Sequence, residues 1–190
     1  MRKCGFVSAL LIGLISLGCA TRAQAQSGPR PTITLLPVVN LNGEKWKDLK
    51  LAEAKAGNQW LHKEFARRKF QITPEKDVTA ALTAKNIDLT DEEQQKKANM
   101  YAAAEATGAD LAVFSIIDDV KDGPDGLRGK ATATIRIWVL DVKEHKAILD
   151  GVTVQADHRS NGKSSARQIG SIESAFDKGM KDYLATFPDK

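Results

Sequence analysis

Cysteine is almost missing from this chain of 190 residues, and both copies, Cys4 and Cys19, lie among the first 25. Downstream there is no thiol for a nucleophile and no pair for a disulfide. Histidine is nearly as scarce. His62, His145 and His158 stand far apart in the sequence and form no His-Glu-x-x-His or comparable ligand pair, so no metal and no cofactor is expected. A Gly-x-Ser-x-Gly elbow is also lacking, which removes the commonest serine-hydrolase layout. Gly162-Lys163-Ser164 lies between an expected strand and an expected helix, where a phosphate loop would sit. The first glycine of that motif is replaced by Asp157, whose charge repels phosphate. Asp118, Asp119, Asp122 and Asp125 cluster at a turn without the alternating spacing, central glycine and closing Glu of a calcium loop. They read as acids of a solvated hairpin.

What is present begins with an export signal. Arg2 and Lys3 precede an uncharged apolar stretch, residues 4–20, and Ala23-Gln24-Ala25 places small residues at the two positions read by a signal peptidase. Residues 1–25 are expected to be cleaved, leaving a flexible lead, residues 26–31, and one domain, residues 32–188. The apolar run is short of the ~20 residues of a membrane span, so none is expected in the mature chain. The alternative is a lipid anchor on Cys19, which follows Gly18. Ser16 and Leu17 stand where lipoprotein signals place Leu and a small residue. Removal of residues 1–25 takes three of the 28 basic residues and none of the 24 acidic ones, leaving a net charge of about +1. The apparent basicity therefore belongs largely to the signal, and no nucleic-acid partner is expected.

Periodicity sets out the fold. Residues 32–39 (TITLLPVV) read as a strand that Pro37 ends or places at an edge. Asp48 is placed to cap a helix carrying Leu49, Ala52, Ala56, Trp60, Leu61 and Phe65, with Gly57 weakening its middle. Residues 70–72 form a short strand and Pro74 opens a helix to Ala84. Thr90 and Glu93 suggest a capping box for a helix ending before Gly108. Residues 109–120 (ADLAVFSIIDDV) are apolar on both faces, the pattern of a central strand. Residues 131–140 alternate cleanly and 147–157 complete a meander. Ser165 and Gln168 suggest a cap for a last helix striped by Ile169, Ile172, Phe176, Met180, Tyr183 and Phe187. The expected class is mixed α/β (α+β), in the order β-α-β-α-α-β-β-β-α. Its five-stranded sheet has spatial order 2-1-3-4-5 and packs against helices.

One surface stands out. Thr132, Thr134, Arg136 and Trp138 share a strand face, with Thr153 and Gln155 extending it and Thr32 and Thr34 in the same style. Arg and Trp are enriched at binding hot spots, which makes the four a candidate partner-binding site; the competing expectation is that the last helix covers them. No catalytic residue is assigned. Separated carboxylates, such as Glu53 and Asp118, would have to meet in a cleft to serve a small periplasmic hydrolase, the alternative to a binding module.

Three segments, TITLLPVVN (32–40), GADLAVFSIIDDV (108–120) and ATATIRIWVLDVKEHKAIL (131–149), together resemble the α/β domain of bacterial envelope proteins such as the curli secretion protein CsgG and the amino-terminal domain of TolB. Gly108-Ala109-Asp110 before an apolar strand, and Val-Leu-Asp-Val at 139–142 before a polar turn, carry the likeness, which spans roughly residues 32–187. It implies a non-catalytic, periplasmic or secreted module of the cell envelope that docks to a protein partner. The chain departs from the secretion channels in lacking both a well-matched lipid-anchor motif and a pair of long alternating segments for a membrane barrel. Intact-mass analysis of protein from the envelope fraction is expected to show a chain beginning at Gln26; a chain beginning at Cys19 with a lipid adduct contradicts cleavage after Ala25.

Overall fold

The computed structural model describes residues 30–43, 47–123 and 129–187. Ala23, Ala25, Cys19 and Asp125 lie outside them. Six strands form one mixed sheet against four helices: β1 (Thr32–Leu35), β2 (Val39–Asn40), α1 (Lys47–Arg67), β3 (Gln71–Ile72), α2 (Glu75–Ala84), α3 (Lys97–Ala106), β4 (Leu111–Asp122), β5 (Gly129–Asp141), β6 (Lys146–Ser160) and α4 (Ser164–Ala185). The spatial order is β3-β1-β4-β5-β6, with β2 also on β4. This is the expected order 2-1-3-4-5 with one correction: the first strand is two. Pro37 has no N–H to give the ladder, so β1 stops at Leu35 and pairing with β4 resumes at Val39. The amide of Val38 between them bonds to Asn58 Oδ1 at 3.1 Å.

Strands β1, β2 and β3 run parallel to their neighbours, whereas β4, β5 and β6 are an antiparallel meander. Two cores follow. On one face Leu61 and Phe65 of α1 and Ile172, Phe176 and Met180 of α4 meet Ile117, Ala133, Ile135, Ile137 and Val139. On the other, Val78 of α2 and Met100, Ala103 and Ala104 of α3 meet Ala112, Phe114, Ile116 and Leu140.

Helix α1 is turned relative to the expected stripe. Its buried residues are Glu53, Ala56, Gly57, Leu61 and Phe65, while Ala52 is exposed. Gly57 is the reason. A Cβ there would lie 2.9 Å from Phe176 Cε2, so the glycine lets α4 approach, and Trp60 then stacks on Phe176 at 5.5 Å. Asp48 falls inside the first turn of α1, and Glu53 occupies a buried position where Asn40 Nδ2 donates to it at 2.8 Å.

Both expected capping boxes are corrected. Asp91, rather than Thr90, accepts from the Glu93 amide, and it caps a short 3-10 turn, Glu92–Gln94; α3 starts later, at Lys97. Thr90 donates its hydroxyl to Asp88 at 2.7 Å. Ser165 lies within α4, whose N-cap is Lys163 without a side-chain bond. Arg167 does the anchoring there: it forks onto Asp122 at 3.1 and 2.9 Å and donates to the Gly162 carbonyl at 2.7 Å. That carbonyl and this arginine occupy the turn where a phosphate loop would sit.

Phe176 is fully buried between α1 and the sheet, so Phe176→Ala is expected to cost about 3–5 kcal/mol of stability in urea unfolding. Leu51→Ala, at a side chain 59% exposed, is expected to change it by less than about 0.5 kcal/mol. Similar losses at the two positions would contradict this packing.

Candidate partner-binding face

Alternation along β5 divides its side chains cleanly. Ala131, Ala133, Ile135, Ile137 and Val139 are fully buried, and Thr132, Thr134, Arg136 and Trp138 point to the opposite face, each partly exposed. The last helix covers the first set: a Cβ on Gly179 of α4 would touch Ile137 Cδ1 and Val154 Cγ2. The expectation that α4 lies over Trp138 is therefore corrected. The residue period of β5 gives two faces, and the larger apolar one takes the long amphipathic helix.

The neighbouring strands complete the surface. Thr134 is opposite Gln155, Arg136 opposite Thr153, and Thr132 opposite Asp157 on β6. On β4 the register shifts between Ile117 and Asp119, leaving Asp118 as an extra residue. That bulge carries the Asp118 carboxylate to Arg136, whose Nε and Nη2 donate to it at 2.6–3.0 Å in a two-point fork. The hydrogen bonds that Arg136 gives to Asp118 raise the arginine's pKa, against partial desolvation. With side chains 35% and 27% exposed, the pair adds at most about 1 kcal/mol to stability. Its main effect is to fix the guanidinium in place.

Arg136 lies over the Trp138 ring at 5.6 Å, and that ring rests on Phe114 at 5.5 Å. Trp138 is thus partly a wall of the second core and partly surface. On its other side Gly151 has φ of +62°, and a Cβ there would lie 3.0 Å from the indole. Only glycine suits both the turn of the backbone and the closeness of the ring. Farther along, Thr132 donates to Asp157 at 2.7 Å and Lys130 pairs with the same carboxylate at 2.8 Å. Lys121 pairs with Asp119 at 2.8 Å. The result is a rigid face of hydroxyls, one amide and charges of both signs beside an Arg-Trp stack.

Other sequence candidates are dispersed. Thr34 is buried and bonds to the hydroxyls of Thr73 and Thr107 at 3.0 and 2.6 Å, so it leaves the surface set. Glu53 is held on the α1 side of the sheet and Asp118 on the opposite face, so the two do not form an acid pair. His145 stacks on Tyr101 and bonds to Glu105, while His62 sits on α1 and His158 on β6. Among the described residues, no group of three or more His, Cys, Asp or Glu could hold a metal ion. The partners Asp118, Lys130 and Asp157 were missed as part of this face; a bulge and a strand register bring them in, and neither leaves a mark on a single sequence.

The fold is shared with a bacterial lipoprotein. Lipoprotein GNA1162 from Neisseria meningitidis superposes with a TM-score of 0.51 at 13% identity, over 80% of this chain and 99% of that one. The hypothetical protein CT253 from Chlamydia trachomatis gives 0.51 at 14% identity, over 83% and 98%. No family model matches the sequence, and no curated protein does. At such identities the likeness concerns the fold alone. No described helix is long and apolar enough to cross a membrane.

Lys130 first, then Thr132, hold the Asp157 carboxyl below its ordinary value. A carboxylate with a lowered folded-state pKa stabilises above its unfolded pKa and loses that contribution as the pH falls through the folded one. The Asp157 carboxyl carbon resonance is expected to titrate at lower pH than that of a free aspartate, and Lys130→Ala is expected to move the midpoint upward. An unmoved midpoint would remove this pair from the face.

Proposed function

We propose that the chain is a non-catalytic module of the cell envelope, exported to the periplasm or beyond, that docks a protein partner on the Thr132, Thr134, Arg136 and Trp138 face. One observation carries the reading. One side of the β5-β6 ribbon is sealed by α4, while on the other side Thr132, Thr134, Arg136 and Trp138 stay partly exposed and present an ordered Arg-Trp stack at the margin of the second core. A merely solvated strand face needs no such stack. The signal-like start and the resemblance to the CsgG and TolB domains support the compartment and the absence of chemistry. An anchor through Cys19 remains the alternative mode of attachment.

Arg136 lies outside both cores, so Arg136→Ala separates binding from folding. It is expected to weaken partner binding by at least about 2 kcal/mol, roughly thirtyfold in Kd, with a stability loss under about 1 kcal/mol. Photocrosslinkers at Thr134 and at exposed Lys181 of α4, placed in intact cells, provide the readout. A discrete adduct from Thr134 alone, lost with Arg136→Ala, supports the face. Equal adducts from both positions, or none from Thr134, would overturn it.

A further inference from the structure

Helix α1 carries a second stripe besides the one in the core. Leu51, Lys55, Asn58 and His62 recur at spacings of four, three and four, so they share one face of the helix. That face borders a cavity of about 660 Å³ whose other walls come from the residues after β1 and from the start of α2. Its position follows from topology. β1 and β3 are adjacent and parallel, pairing Thr32 with Gln71 and Ile33 with Ile72. After β1 the chain passes through β2 into α1 on one face of the sheet, and from β3 it enters α2 on the other. Connections that leave neighbouring parallel strands on opposite faces open a crevice beyond the carboxyl ends, the place where open α/β sheets take ligands.

The lining states the chemistry. Leu35, Val38 and Val78 provide apolar walls, and Leu51, 59% exposed, stands at the cavity beside Ala54 and Pro37. Lys55 and His62 add basic groups. Asn58 accepts from the Val38 amide through Oδ1, so its remaining polar atom, Nδ2, is a donor. Glu75 is the one carboxylate among the lining residues, on the α2 side. The volume lies within the ~300–1,000 Å³ range of small-ligand sites. We propose that this crevice binds a free single-chain amphiphile with a carboxylate head, its chain against Leu35, Leu51 and Val78 and its head beside Lys55, Asn58 and His62. The site shares no residue with the sheet face and does not rest on that face's function.

Dodecanoate titrated into isotope-labelled protein, followed by amide resonances, tests this. Saturable shifts confined to residues 35–38, 51–62 and 73–79 are expected below the concentration at which dodecanoate aggregates. Leu51→Asp and Lys55→Glu, both at exposed positions, are expected to weaken binding at least tenfold with the melting temperature unchanged. Dodecyltrimethylammonium, with the same chain and a cationic head, is expected to produce no such shifts. Absence of saturable shifts, equal binding of the cationic amphiphile, or wild-type affinity in both variants would overturn the proposal. So would sedimentation with phosphatidylglycerol vesicles that the same variants abolish while dodecanoate fails to bind, since the site would then belong to a membrane surface.

Discussion

Strand β4 is paired along both edges and buried on both faces, and the other elements are arranged around that condition. Leu111 to Ile117 are all buried, including the Ser115 hydroxyl position in their midst. β1 and β2 bond to one edge and β5 to the other, so β4 is where a parallel half-sheet becomes an antiparallel one. Asp110 secures its beginning. The carboxylate accepts from the Thr32 amide at 2.9 Å and pairs with Lys143 at 2.6 Å, while its own carbonyl accepts from the Val142 amide. The acid of the Gly-Ala-Asp that opens this strand thus joins the start of β1 to the β5-β6 turn.

A strand buried on both faces needs helices on both, and the chain provides them unequally. α4, 22 residues long, lies along the meander, and α1, 21 residues long, packs beside it over β1, β2 and β3, whereas α2 and α3 have 10 residues each. The short pair covers β1, β4 and the Leu140 end of β5. The partly exposed Thr-Arg-Trp face is what the shorter helices leave only partly covered. Its charges are paired within the sheet, through Asp118 with Arg136 and Asp157 with Lys130, so the face is ordered before anything meets it.

The same division creates the crevice. Because α1, reached through β2, and α2, reached from β3, lie on opposite faces of the sheet, a cavity opens beside the end of β1, and Pro37 interrupts the ladder at that point. An imino acid that interrupts one strand therefore shapes both the sheet and its ligand-sized cavity.

The sequence determined the features that depend on near neighbours along the chain: the period-2 run of β5, the two-sided apolarity of β4, the helical stripe of α4 and the proline that opens α2. Pairing order followed, since tight turns impose a meander and helical crossovers impose parallel strands. Tertiary structure alone decided which face each helix took, why Gly57 is needed under Phe176, that Asp91 caps a 3-10 turn ahead of α3, and that Arg167 rather than Ser165 anchors the start of α4. It also decided that Asp118 reaches Arg136, through a bulge, and that Leu51, Lys55 and His62 border a cavity. These outcomes depend on contacts between residues distant in sequence, where steric fit and register select among locally equivalent choices, and a single chain read residue by residue does not carry that selection.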